Sequence, residues 1–441
     1  MVKKKVTILG AGITGLFCAL KLSEDFEVTL IEKSSEIGGM SHSFKYKNFT
    51  LDYGPHKIYT ELPGIINEID SVIPLNKIKK VNSIYLEGSY FDFPLKLSQL
   101  LTRIPLKGFQ AGVDVMSNML IKKPNDNYEN FLINNFGYTI YNLVFRKYAI
   151  KIWGNPKELD VDLAKKRVAV SNIFQLVKSI LFKDNSKISA EYFYYPEISI
   201  SQFTNSIKDK IIANGGKILL HQEIISIKEN HGFFVYLKNK KIKSDYLIST
   251  IPLIDLVSYL GKKELVKEAS QLKYKDLNIF YFILNKEKAL KENWIFFPEL
   301  NLPFNRISEQ KSFSLRSCPE RKTAIMVETT LSQTYKEEIR KKLIQLRIVN
   351  PAEVEDIFVK KLEKAYPIYS KGYKHHLNII LLSLDKSTNL YTLGRHGLFN
   401  YNNMDQCVDM AIKLAEQIKQ GKSREDWNNT LSYFEKYRIV D

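Results

Sequence analysis

Residues 6–33 read VTILGAGITGLFCALKLSEDFEVTLIEK. An apolar run at 6–9 enters Gly10, Gly12 and Gly15 of GAGITG, a helix-like segment follows, and a second apolar run at 28–31 ends on Glu32. This is the spacing of a strand–turn–helix–strand unit that holds a dinucleotide. Gly10 permits the tight turn, Gly12 lets the backbone approach a pyrophosphate, and Gly15 lets helix and strand pack closely. N–H groups at the helix start, those of Ile13 and Thr14 among them, then face the phosphates, and the helix dipole favours their charge. Glu32 lies 20 residues after Gly12. A carboxylate there accepts hydrogen bonds from ribose hydroxyls and repels a 2′-phosphate, which disfavours NADP.

The residues after Glu32 choose the dinucleotide. In EKSSEIGGM (32–40), Lys33 adjoins the acid, and Gly38, Gly39 and Met40 follow. Adjacent glycines let the chain run flush against an extended ligand. LDYGPH (51–56) adds Gly54, Pro55 and His56. A nicotinamide cofactor has no need of this second approach, whereas extended FAD touches both places. DYLISTIP (245–252) reads as a strand ending near Thr250, and it resembles the chain-return strand of glutathione-reductase-like FAD proteins. FAD is therefore the expected cofactor. The expected fold is α/β: a Rossmann-type FAD-binding domain with an inserted helical domain and a substrate-domain β-sheet.

Bulk properties narrow the class. The 441 residues exceed one Rossmann unit, and 44% apolar content supplies an ample core. No run approaches about 18 apolar residues, so no membrane span is expected. MVKKK leads straight into a strand, which leaves no room for a signal peptide. Three scattered cysteines form no CxxC, and a reducing, cytoplasmic location is expected. The net charge of +17 is spread over dispersed lysines; it can steer an anionic substrate inward, while no nucleic-acid motif accompanies it. Histidines and cysteines show no ligand spacing, so no metal is expected. His375-His376 is read as the surface of a strand.

Five segments are expected: 1–82 and 196–260 as the first two parts of the FAD-binding domain, 83–195 as a hairpin and helical cap, 261–385 as the substrate-domain sheet and helices, and 386–441 as the returning strand and helix. The hairpin turns at Glu87-Gly88. From 95 to about 182 the chain reads as largely helical, interrupted at PLKG and KKPND. Within it, 95–121 is apolar enough for an amphipathic face toward a membrane, although packing inside the helical domain is the favoured expectation. The basic segment 336–346 reads as a helix, and 353–364 as another.

Later stretches resemble the UDP-galactopyranose mutases. GRHGLFNYNNMD (394–405) is similar to that family's flavin-contacting C-terminal motif, KIWGNPKEL (151–159) with Arg167 to its tryptophan-and-proline stretch, GPHKIYT (54–60) to its histidine loop and AYPI (365–368) to its YPI segment. The resemblance spans most of the chain in the family's order. Departures are Phe399 where a first tyrosine is usual, YPEIS (195–199) in place of a PxxGYT-like turn, and a short spacing from Trp153 to Pro156. Fold and cofactor therefore carry over better than the identity of the sugar.

The resemblance implies interconversion of pyranose and furanose forms of a nucleotide sugar through N5 of reduced flavin. It implies that Arg306 and Arg167 hold the diphosphate, that Tyr366 and Tyr401 donate phenolic hydrogen bonds to it, and that Trp153 forms a wall against sugar or base. His56 then holds the flavin edge, Gly394 and Arg395 lie by the flavin, and Met404-Asp405 contact the cofactor. A homodimer is also implied, serving surface-polysaccharide synthesis. Two other readings remain open: an oxidoreductase of the amine oxidase or protoporphyrinogen oxidase type, which brings peripheral membrane contact with it, and a flavin-binding protein with a decayed site. A lid within 173–189 is a further question.

Overall fold

The computed structural model describes residues 3–118, 123–167 and 191–439; the segment 173–189 lies outside them. Strand Lys5–Leu9 sits between Glu27–Ile31 and Tyr246–Ser249, all parallel, and Lys217–Leu219 and Leu390–Thr392 complete a five-stranded sheet. Val6, Ile8, Val28 and Leu30 point to one face, against the helices Ile13–Leu22, Ile200–Ala213 and Met404–Lys419. Leu9, Ile31 and Leu247 point to the other, where a three-stranded antiparallel sheet of Ile224–Glu229, Phe233–Leu237 and Lys241–Ser244 covers them. Alternation along buried parallel strands produces this two-faced core. The fold is the expected α/β architecture.

A seven-stranded sheet forms the second layer. Its order is Val354–Pro367, Tyr274–Leu284, Thr323–Thr329, Arg306–Glu309, Trp294–Phe296, Asn82–Leu86 and Ser89–Asp92. The hairpin at 82–92, turning at Glu87 and Gly88 with positive φ at both, thus extends this sheet rather than joining the helices. The segment 353–364 is not a helix. Val354–Pro367 is a 14-residue edge strand paired along Tyr274–Leu284. Its apolar residues recur at helix-like intervals because charges interrupt the strand alternation, and lysines and glutamates on an exposed edge deter pairing with another chain. Conversely, His375 and His376 are not on a strand but on a helix, Tyr373–Leu384, where His376 Nδ1 lies 2.6 Å from Glu268.

The helical segment contains Leu97–Arg103, Pro105–Ser117, Tyr128–Ile140 and Lys147–Ile152. PLKG does not interrupt it: Pro105 opens a helix at its first position, where a missing N–H costs nothing, and the break falls at Ile104. Ala111 of Pro105–Ser117 packs inward, yet Leu106, Phe109 and Met116 are 81%, 71% and 71% exposed, so this stretch is packed on one face only. Among the described residues no helix is long and apolar enough to cross a membrane.

Candidate functional site

The glycine turn is built as the spacing requires. Gly10 takes φ +95, and Thr250 Oγ1 donates to the carbonyls of Leu9 (2.8 Å) and Gly10 (3.2 Å) beneath it. A Cβ on Gly15 would stand 2.0 Å from the Gly10 oxygen, so only glycine lets the helix approach. Gly12 is the N-cap of Ile13–Leu22, with no side chain capping it. Gly38 donates its N–H to the Ala11 carbonyl at 2.7 Å, and a Cβ on Gly39 would meet the Gly12 Cα at 3.1 Å. The second glycine pair is therefore folded onto the first. Gly394, at φ +80, closes the far side against Thr14.

The residues present fit a flavin dinucleotide. A Cβ added to Gly12 meets nothing within 4 Å, so the cradle above the helix start is open for a pyrophosphate. Glu32 is pre-oriented at its rim: one carboxylate oxygen accepts from the Ala11 N–H at 2.8 Å, and the other from the N–H and hydroxyl of Ser34, each at 2.9 Å. Lys33 lies exposed beyond it.

A cleft opens between the Rossmann layer and the seven-stranded sheet. Met40, Gly54, Pro55, His56, Arg395 and Met404 line it together with Arg167, Arg306, Tyr366 and Tyr401. Residues far apart in the chain, chosen on motif alone, thus meet in one cavity. Three candidates stand off its wall. Trp153 is buried behind Tyr401, with ring centroids 6.2 Å apart. Thr250 supports the glycine turn from below. Asp405 is buried in the first turn of Met404–Lys419, held by the Thr60 hydroxyl, and burial pushes its carboxyl up to about 6.

The electrostatics follow from burial. Desolvation pushes the His56 imidazole down to about 3, and the charges of His42, Arg306 and Arg395 push the same way, so the ring is neutral at neutral pH. Its Nδ1 is buried without a hydrogen-bond partner. Burial, with the Glu328 charge adding to it, holds the Tyr366 phenol far above its ordinary value and keeps it a donor. Tyr366 and Tyr401 stack at 5.8 Å, with 3° between their planes. The Arg167 guanidinium lies 5.5 Å from the Tyr401 ring and 5.7 Å from that of Trp153. Arg395 is fixed by the carbonyls of Ala365 and Asn402 and lies 5.7 Å over Tyr401.

Arg306 has a partner that sequence reasoning missed. Its Nε and Nη2 donate to the two oxygens of Glu328 at 3.0 and 2.8 Å, a bidentate fork on a carboxylate that is itself buried. Strand pairing places Arg306 directly opposite Glu328, and a Cβ on Gly54 would touch that carboxylate at 3.0 Å. Glu328 thus fixes the arginine and forms the floor under the histidine loop. Trp294, Phe313 and Lys57 also line the cleft. Lys57 belongs to the histidine loop, whereas nothing local in the sequence marks Trp294, which strand pairing brings there, or Phe313, which follows a short 3-10 turn.

The chain matches the model of the NAD(P)-binding Rossmann-like domain over residues 8–65. It is 23% identical over 434 residues to a protein of Klebsiella pneumoniae named "Probable UDP-galactopyranose mutase", covering 95% of each chain. It is also 23% identical over 435 residues to the UDP-galactopyranose mutase of Mycoplasma genitalium, covering 94% of each. Among solved structures, reduced UDP-galactopyranose mutase superposes with a TM-score of 0.82 at 20% identity, covering 95% of this chain and 94% of that one. Cyclohexylamine oxidase of Brevibacterium oxydans superposes with a TM-score of 0.69 at 13% identity, covering 95% and 99%. Over nearly its whole length, then, this is a UDP-galactopyranose mutase-like chain, an α/β enzyme fold with a Rossmann-type site for a flavin cofactor.

Proposed function

We propose that the protein is an FAD-dependent mutase interconverting the pyranose and furanose forms of a UDP-linked sugar, in surface-polysaccharide synthesis. The observation that carries this reading is the lining of the cleft: four cations, Lys57, Arg167, Arg306 and Arg395, against the single carboxylate of Glu328, stand with a stacked pair of phenols at the histidine loop. An oxidase of apolar amines has no use for that density of positive charge, whereas a leaving diphosphate does. Bound and reduced, FAD would supply the nucleophile for the anomeric carbon.

The chain's own residues orient and balance charge. Arg306, held rigid by Glu328, and Arg167, laid on aromatic rings, would grip the diphosphate oxygens; Tyr366 and Tyr401 would donate to them. Neutral His56 would hold the flavin edge by geometry rather than by proton transfer. Arg395 favours an anionic reduced ring. The chain's net charge of +17 raises the local concentration of a doubly charged substrate. Three free, buried cysteines accord with a reducing compartment. A homodimer completes the reading.

The test is anaerobic incubation of chemically reduced and oxidised protein with UDP-galactofuranose, with products separated by anion exchange. UDP-galactopyranose is expected with the reduced protein and hardly any with the oxidised. No conversion with flavin bound and reduced overturns galactose as the sugar.

A further inference from the structure

We propose that the protein has a second anion site, back to back with the cleft, in which a polyphosphate effector binds and by its charge opposes occupancy of the cleft. The site itself is independent of the sugar; its opposition to a substrate rests on the nucleotide-sugar reading above. Two pairs of neighbouring residues divide between two cavities. On the helix Val161–Arg167, Arg167 lines the cleft, and Lys166 lines a separate cavity of about 460 Å³. Beyond strand Leu390–Thr392, Tyr401 lines the cleft and Asn400 that same second cavity. Consecutive Cα atoms are about 3.8 Å apart, so a single layer of backbone separates the two cavities at both places.

Lys166 is only 7% exposed. Its Nζ donates to the side-chain oxygen of Asn400 at 2.7 Å and to the Tyr437 carbonyl at 3.5 Å, both neutral acceptors. Asn400 donates in turn to the Phe434 carbonyl at 3.1 Å, which fixes the pair. Burial pushes the ammonium down to about 8, with the Glu435 and Asp162 charges pulling the other way. An anion at its third hydrogen offsets that desolvation, and a desolvated ammonium holds an anion more strongly than one in water.

The charges around it favour a polyanion. Five cations and two carboxylates line this cavity. Lys374 lies between the carboxylates, 2.9 Å from Asp162 and 3.4 Å from Glu435, and Lys165 is 3.9 Å from Asp162. Those four charges balance. Lys166, Lys436 and Arg438 remain, and among the described residues none of the three stands within ion-pair distance of a carboxylate. Three uncompensated cations suit the several charges of a di- or triphosphate, whereas a lone carboxylate would leave two of them unmet. The volume falls in the range of small-molecule sites, with room for phosphates and an organic carrier.

The experiment is calorimetric titration of the flavin-loaded protein with inorganic pyrophosphate at physiological ionic strength, alone and with the cleft saturated by UDP. Pyrophosphate is expected to bind beside saturating UDP. Lys166→Gln should weaken that binding at least about tenfold, and Lys436→Gln and Arg438→Gln, both at exposed positions, at least about fivefold each. In the reverse titration, pyrophosphate should weaken UDP binding about fivefold more in the wild type than in the Lys436→Gln/Arg438→Gln double variant, where only competition at the cleft remains. No pyrophosphate bound beside UDP, or binding that all three variants leave unchanged, overturns the site. Equal weakening of UDP in the double variant overturns its role as an effector site. If UDP itself fails to bind, the nucleotide-sugar reading falls, and titration of the variants with pyrophosphate alone still decides whether this site exists.

Discussion

Gly12 and Gly15 are three residues apart and fail in different ways when given a methyl group. Gly15→Ala drives a Cβ into the Gly10 carbonyl, and about 3 kcal/mol of stability should be lost, measured by urea unfolding of the flavin-free protein. Gly12 has φ −68 and open space beyond it. Gly12→Ala should therefore keep stability within about 0.5 kcal/mol while flavin affinity, read by absorbance titration, falls at least about tenfold. At Glu328, truncation to alanine strands a partly buried guanidinium. Glu328→Ala should cost about 3 kcal/mol, and adding Arg306→Ala should recover part of that loss in a double-mutant cycle. The glycines were legible because their chemistry is local. Glu328 and Trp294 were not, since each acquires its role from a neighbour on another strand.

Elements were legible where one period dominated. Met404–Lys419 and Lys336–Gln345 follow the helical repeat and carry their own start signals, such as the capping box of Asn403 and Gln406. Asn403→Ala should destabilise by about 1 kcal/mol, seen as a lower urea midpoint. Val354–Pro367 misled because lysine and glutamate occupy positions that a buried strand would fill with apolar residues. Its pairing with Tyr274–Leu284, a strand some 80 positions earlier, overrides local preference. The exposed side chains of Pro105–Ser117 were hidden by the same logic: apolar content reveals an amphipathic helix, but not which face finds a neighbour.

For the molecule as a whole, Asp52 is the node between layers. It accepts from the Tyr195 hydroxyl, from Ser43 at 2.7 Å and from the Ile200 N–H at 3.3 Å, while its own N–H reaches Gln310 at 3.1 Å. Burial pushes its carboxyl up to about 6 despite those hydrogen bonds, against about 3.9 when unfolded. The folded form therefore binds the proton more tightly, and this group stabilises increasingly as pH falls through 6 toward 4. The partly buried, neutral His56 and His396 act oppositely, as their folded values lie near 3 and 4, below the unfolded 6.5 or so. Comparison with Asp52→Asn cancels the histidines. Wild type minus variant should be about 2 kcal/mol more favourable at pH 4.5 than at pH 7, by urea unfolding at both.

The five-stranded sheet has a consequence for how the protein is made. Its strands come from 5–31, 217–219, 246–249 and 390–392, and Gly394 packs against Thr14 only after all of them. On a ribosome, the stretch from Ile31 to Leu390 takes roughly 20–70 s to emerge. Throughout that interval Val6, Ile8, Val28 and Leu30 have no completed sheet to enter, and holding them soluble falls to chaperones. The turn at 10–15 is closed only when Gly394 has emerged to meet Thr14, so flavin loading should wait for that segment, and a polypeptide that stops short of Gly394 should leave the ribosome colourless.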